Sequence, residues 1–229
     1  MARIFPSLMA ADLMNMQKEI EHLDPHCDGY HLDIMDDHFV PNITFGIDFI
    51  DSVNKITARP LWVQLLLDNV EKWVDKIELN ANSILTFHIE STKDIRNLAD
   101  RIKKKNIVPS ISINPNTPVE RVFPFLDVVH HVVVMSVIPG FSGAPFLPES
   151  IEKVDALVSY CQNAGIQCTV AMDGGIGDEN IGKLVYRGAE DFVVGSAIFS
   201  SKDRVDTIKK LYELCKKEEK SIREVCGRM

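Results

Sequence analysis

The chain has 229 residues, 45% apolar and 25% charged, and a formal net charge of -8. That length fits one large domain or two small ones, and the apolar share supplies a sizeable core. The acidic balance argues against a nucleic-acid or anionic-membrane partner, while local loops can still bind a small anion.

Taken in order, short apolar runs alternate with helical patterns. Residues 4–7 read as a first strand and 11–23 as a helix. Residues 30–35 form the second strand and 47–56 a helix. A third strand spans 61–67, followed by a helix over 70–79. A fourth strand covers 83–88, with a long helix over 92–105. The fifth strand, 107–113, ends in Asn114-Pro115-Asn116-Thr117-Pro118, and a short helix starts at Val119. The sixth strand spans 128–136, and residues 148–164 are helical. A seventh strand over 166–172 precedes a helix over 179–186. The eighth strand, 191–194, leads to a last helix from about 205 through 215, with the charged 216–220 as its solvated end.

Eight strands alternating with eight helices predict one closed (β/α)8 barrel, a TIM barrel, over residues 1–229. The continuous apolar strands agree, because barrel strands are buried on both faces. An open doubly wound sheet is the alternative, and no Gly-x-Gly-x-x-Gly follows the first strand to support it. The five cysteines, Cys27, Cys161, Cys168, Cys215 and Cys226, are an odd number without metal spacing. They read as reduced thiols of a cytoplasmic protein. No run approaches the ~20 apolar residues that span a bilayer, and the first residues lack the apolar core of a signal peptide.

Barrels place active residues at the carboxyl ends of strands. The polar residues there are Ser7, His31, Asp33, Gln64, His88, Ser136 and Asp173. His31 and Asp33 share one strand face, since strand side chains alternate. Together they can grip a divalent cation, although for a lone His-x-Asp a strand-end His with a capping Asp is the better reading. Asp173 before two glycines reads alone as a turn residue. Across a substrate from Asp33, it can instead be one of two carboxylates that remove and return a proton. Glycine loops follow strands six (Gly140, Phe141, Ser142, Gly143), seven (Gly174, Gly175) and eight (Gly195, Ser196). Three such loops at successive strand ends point to a phosphate site.

These residues carry a resemblance. Pro6-Ser7-Leu8, the stretch from His31 to Gly46, Phe87-His88-Ile89-Glu90, Asn114 to Pro118, Met135 to Gly143, Asp173-Gly174-Gly175-Ile176 and Gly195 to Phe199 resemble the ribulose-phosphate 3-epimerase family. Its members include allulose-6-phosphate 3-epimerases. The resemblance implies a TIM barrel of the ribulose-phosphate-binding type and epimerisation of a ketose phosphate at carbon 3. It implies one divalent metal (Zn, Mn, Fe(II), Co or Mg) held by His31, Asp33 and Asp173. Asp33 and Asp173 match the two acid/base groups, Ser7 a substrate contact, and the three glycine loops the substrate and phosphate contacts. Met35 and Met135 match methionines roofing the reacting centre. A homo-oligomer, dimer or higher, is implied as well.

The chain departs from this pattern at five positions. Gln64 stands where a fourth ligand, a His, is expected, and Leu66 where a third roof methionine is expected. An amide oxygen is a neutral, hard ligand that suits zinc poorly, so the site leans toward manganese, magnesium or iron(II). Gln64 could otherwise only hydrogen-bond substrate or Asp173. Asp37 and Ser142 replace glycines, and Ala144 replaces a Gln. The competing readings are a sugar-phosphate-binding protein that has lost metal and catalysis, and a decarboxylase. The decarboxylase would need a Lys at the barrel mouth, and no strand ends in one. His130-His131 read as partly exposed strand-end residues, Lys103 to Lys105 as a solvated helix end, and Trp62 and Trp73 as packing.

Overall fold

The computed structural model describes residues 1–226. Eight parallel strands alternate with helices: β1 Arg3–Pro6, α1 Met16–Leu23, β2 Tyr30–Met35, α2 Ile47–Ile56, β3 Leu61–Leu66, α3 Glu71–Val74, β4 Ile84–His88 and α4 Ile95–Lys104. Then come β5 Val108–Ile113, β6 His131–Met135, α5 Ser150–Ala164, β7 Thr169–Asp173, α6 Ile181–Tyr186, β8 Asp191–Val194, α7 Ser196–Phe199 and α8 Arg204–Cys226. The sheet runs β1-β8-β7-β6-β5-β4-β3-β2. A single parallel bridge between Ser7 and His31 joins its two ends and closes the barrel. The seam therefore lies at the carboxyl end of β1, beside the predicted cation ligands.

The outward faces of the strands and the inner faces of the helices make one large apolar core, with Leu32, Leu65, Phe87, Val134, Met172 and Phe192 in it. A second apolar set, Phe5, Trp62, Ile84, Val133, Met135, Ala171 and Val193, fills the barrel interior. Trp62 is fully buried there, as packing requires, and its indole N–H donates to Thr86 Oγ1 at 2.8 Å. Polar residues lie on both sides of this plug. On the amino-terminal side, His131 bonds Ser110 (2.7 Å) and Asp191 (3.1 Å), and Asp191 also holds Arg3 Nε at 2.8 Å. Hydrogen bonds from His131 and Arg3 outweigh burial and hold the Asp191 carboxyl below its usual range.

Several boundaries differ from the sequence reading for local reasons. The first helix begins at Met16, because Asp12 accepts from the Met14 N–H at 3.0 Å and nucleates a 3-10 turn instead. The predicted helix over 70–79 is one turn long. Arg101 and Lys105 take the carbonyls of Glu71, Val74 and Asp75, so Lys105 caps a neighbour rather than ending free in solvent. After β5 the chain makes two 3-10 turns, and Pro124 lacks the N–H an α-helix would need. Strand six starts at His131, since the Val128 and Val129 N–H groups bond back to Phe125. Strand seven starts at Thr169, because Ile166 N–H returns to Cys161 O around left-handed Gly165. The last helix runs unbroken through the charged segment to Cys226. His131 is buried, not partly exposed, because Asp191 and Ser110 satisfy both ring nitrogens. Cys27, Cys161, Cys168 and Cys215 are free thiols, and the side chain of Cys226 lies outside the described ones. Among the described residues no helix is long and apolar enough to cross a membrane.

Candidate active site

Register brings the predicted ligands together. On β2, His31, Asp33 and Met35 point inward, and Asp33 pairs with Gln64 on β3. On β7, Asp173 is the last residue and pairs with Met135 on β6 and Val193 on β8. The ligand atoms of His31, Asp33 and Asp173 all lie within 4.8 Å of one another. They are the one such group of His, Cys, Asp and Glu among the described residues.

Each side chain is held from behind. Ser7 Oγ lies 3.3 Å from His31 Nδ1, and Asp33 Oδ2 is 3.6 Å from the same nitrogen. The ring edge rests against Trp62, with centroids 5.3 Å apart. That leaves His31 Nε2 buried with no hydrogen-bond partner. Gln64 Nε2 donates to Asp173 Oδ2 at 3.2 Å and touches Met135 Sδ at 3.4 Å, while its Oε1 is buried and unpartnered. Thr44 Oγ1 donates to the Asp33 carbonyl at 2.5 Å. Ser136 Oγ donates to the carbonyls of Asp173 and Gly174 at 3.0 and 2.6 Å.

Burial governs the electrostatics. It pushes the Asp33 carboxyl well above its usual range, and the charge of Asp173 adds to the rise. It also pushes Asp173 up, partly offset by the Gln64 hydrogen bond. Burial pushes His31 down to about 3, so its imidazole is neutral, the form that ligates metals. Two crowded carboxylates, a neutral imidazole and an orphaned amide oxygen form a donor set that fits a divalent cation. Their mutual repulsion and burial are the costs such an ion would relieve.

Above this cluster lies a narrow cleft lined by Ser7, Asp33, Met35, Met135, Gly140 through Gly143, Asp173, Gly174, Gly175, Gly195 and Ser196. All three glycine loops therefore reach one cleft. Gly174 and Gly175 adopt φ of 114° and 63°. A Cβ on Gly174 would sit 2.4 Å from Val137, and one on Gly175 2.8 Å from the Phe146 nitrogen, so neither position accepts a side chain. After β8 the chain turns into the short helix α7, which the sequence reading did not separate from the Gly195-Ser196 loop. Gly195 is its N-cap, as in barrels that place a short extra helix at the phosphate end.

Gln64 and Leu66 do not line the cleft. Gln64 is fully buried beneath it. Leu66 packs with Met35 and Val40, flanked by Met9 and Phe39, and this apolar cap lies over β2 and β3. Met135 belongs to the interior plug and reaches the cleft from below. Met9 and Phe39 were not anticipated, because loop residues show no periodicity that marks them as inward-facing. His88 stands apart from the cation group. Its Nδ1 is 3.4 Å from Glu90 Oε2, and its ring packs on Phe39 with centroids 4.8 Å apart. A wider groove of about 770 Å³ opens at the other end of the barrel, lined by Met1, His130, Cys168 and Glu190 among others. It holds none of the converging carboxylates, which open on the narrower cleft.

The chain is similar to known proteins along most of its length. The model of the ribulose-phosphate 3-epimerase family matches residues 3–199. A ribulose-phosphate 3-epimerase of Methanocaldococcus jannaschii is 36% identical over 214 residues, covering 93% of this chain and 91% of that protein. The cytoplasmic isoform of ribulose-phosphate 3-epimerase from Oryza sativa is 38% identical over 215 residues, covering 92% of each. Among solved structures, 3-hexulose-6-phosphate synthase from Salmonella typhimurium superposes with a TM-score of 0.68 at 13% identity, covering 94% of this chain and 99% of that one. That last likeness establishes the barrel alone. With the family model spanning all eight strands and relatives above one-third identity over nine-tenths of the chain, the protein belongs to the ribulose-phosphate 3-epimerase family and is an epimerase.

Proposed function

We propose that the protein epimerises a ketose phosphate at carbon 3, with ribulose 5-phosphate and xylulose 5-phosphate as the first pair to test. The observation that carries this reading is the placement of Asp33 and Asp173. They are buried carboxylates from two strands, in one cation-sized cluster, beneath three glycine loops. A proton beside a ketone is very weakly acidic, so its removal needs a placed base and a stabilised enediolate. Asp33 takes the proton from one face, and Asp173 returns one to the other. The opposite epimer uses the reverse assignment. Raised carboxyls suit this work, because each must accept a proton in one half of the cycle. Backbone N–H groups of the loops around Gly140 to Gly143, Gly174, Gly175, Gly195 and Ser196 hold the phosphate. Met35 and the cap of Val40 and Leu66 exclude water from the reacting carbon.

His31 Nε2, Gln64 Oε1 and one oxygen each from Asp33 and Asp173 would hold a divalent cation. Such an ion, when bound, polarises the ketone and spreads the charge of the enediolate. One nitrogen and three oxygens favour manganese, magnesium or iron(II) over zinc. Gln64 has a second part, since its N–H already holds Asp173 in place.

The test is one preparation assayed on ribulose 5-phosphate and allulose 6-phosphate, with added manganese, zinc or chelator, following solvent deuterium into carbon 3. Exchange that chelator abolishes supports the two-carboxylate reading with a cation. Exchange that survives chelator supports the carboxylates and removes the cation. No exchange into either sugar by metal-loaded protein overturns the proposal.

A further inference from the structure

Asn42, on the loop that follows β2, is a residue the chemistry above does not use. Asn42 Nδ2 donates to the carbonyl of Gly140 at 2.6 Å, across 98 positions of sequence. Its Oδ1 accepts from the Ile43 N–H at 2.9 Å, which fixes which way the amide faces. Its backbone is engaged as well: N–H to Val40 O at 2.8 Å and O to Asp37 N–H at 2.9 Å. Two residues on, Thr44 ties the same loop to the Asp33 carbonyl and the Met35 N–H. One compact loop thus holds the end of β2 on one side and the loop after β6 on the other.

Gly140 is buried with φ 131°, a region that side chains rarely adopt, and a Cβ added there would lie in ordinary contact with Val40 and Pro41, at 3.6 and 3.7 Å. Beyond it Phe141, Ser142 and Gly143 are exposed. Among the described residues, the Asn42 amide makes the one side-chain hydrogen bond to the backbone of residues 138–146. A loop tied at one point and open beyond it must be ordered by its ligand unless that point holds it.

We infer that Asn42 is a positioning residue that keeps the loop after β6 in register with the carboxylate of β2. The distance between the anion-binding N–H groups and the proton-transferring Asp33 then matches a single substrate length. This rests on the reading of that loop as a phosphate loop. Asn42→Asp keeps the shape but cannot donate, and sets a carboxylate against the Gly140 carbonyl. Asn42→Ala removes both groups and leaves the backbone bonds, so it guards against a misfolded Asp variant.

The experiment measures kcat and KM with ribulose 5-phosphate, competitive inhibition by inorganic phosphate, and the melting temperature of each variant. The expected result is a KM and a phosphate inhibition constant that rise together, about 10-fold or more. The melting temperature should stay within a few degrees, and kcat should fall less than KM rises. A role in folding alone would move the melting temperature and leave the phosphate constant unchanged. If phosphate competes with the wild type and equally with both variants, the inference about Asn42 is overturned while the phosphate loop stands. If phosphate does not compete even in the wild type, the loop reading falls and the inference falls with it.

Discussion

The amide nitrogen of Gln64 lies 3.2 Å from Asp173 Oδ2, and its oxygen, buried and unpartnered, faces away from that bond. One side chain thus supports a carboxylate and offers a neutral oxygen where the resemblance implies an imidazole. Gln64→His should raise zinc affinity 10–100-fold relative to manganese. Gln64→Ala should weaken manganese binding by a similar factor. Titration calorimetry with each metal on chelator-stripped protein reads both, independently of turnover. Unchanged manganese affinity in the Ala variant would exclude Gln64 as a ligand.

Asp33 and Asp173 crowd two carboxylates into a buried site, so without a cation between them they cost stability. A carboxyl raised in the folded state binds protons more tightly there than in the unfolded chain. Its penalty is absent at low pH and grows as pH rises through the interval above the unfolded value. Asp33→Asn should therefore stabilise chelator-treated protein at pH 8 by about 1–3 kcal/mol and leave it unchanged near pH 3.5. Turnover should fall about 10²–10⁴-fold, the usual worth of a placed base. Thermal unfolding at the two pH values is the check, and a destabilised variant at pH 8 would refute the crowding argument.

The Asp191 carboxyl is held below its usual range, so the sign reverses. Its stabilisation is complete above the unfolded carboxylate value near 3.9 and is lost as pH falls through the folded value. Asp191→Asn leaves Arg3 and His131 without their anion and should cost about 3–5 kcal/mol at neutral pH. Denaturant unfolding between pH 3 and 7 should show the gap between variant and wild type narrowing toward the acid end. A constant gap would mean that packing, not charge, is what the variant lost.

Asp37 has φ 64°, the left-handed conformation that a glycine adopts freely. Asp37→Gly should leave stability unchanged or raise it by up to about 1 kcal/mol, whereas Asp37→Val should lose about 1–2 kcal/mol. Urea midpoints of the three proteins decide this. Equal midpoints for Gly and Val would show that the loop relaxes.

The barrel was legible because its cause is local. Strands such as β6 and β8 carry continuous apolar runs, Val132 to Met135 and Phe192 to Val194, and helices such as α4 place Ile95, Leu98, Ala99 and Ile102 on one buried face. Those patterns need only the period of two and the period of 3.6. The cluster of His31, Asp33 and Asp173 was legible because barrels collect polar residues at strand ends, so Asp33 and Asp173 could be paired before any distance was known. Asp37, read as a residue tolerant of the left-handed region, occupies that region.

Other features could not be read in line. The helix expected over 70–79 stops after one turn because Arg101 and Lys105, some 30 residues away, cap its carbonyls. His131 looked like a surface residue until Asp191, 60 positions on, supplied its partner. The bond from Asn42 to Gly140 and the orphaned oxygen of Gln64 likewise depend on which strands become neighbours. Short-range preferences thus determined the elements, their order and the residues able to do chemistry. Closure of the barrel decided which of those residues meet, because desolvation and hydrogen-bond geometry act over a few ångströms of space rather than along the chain.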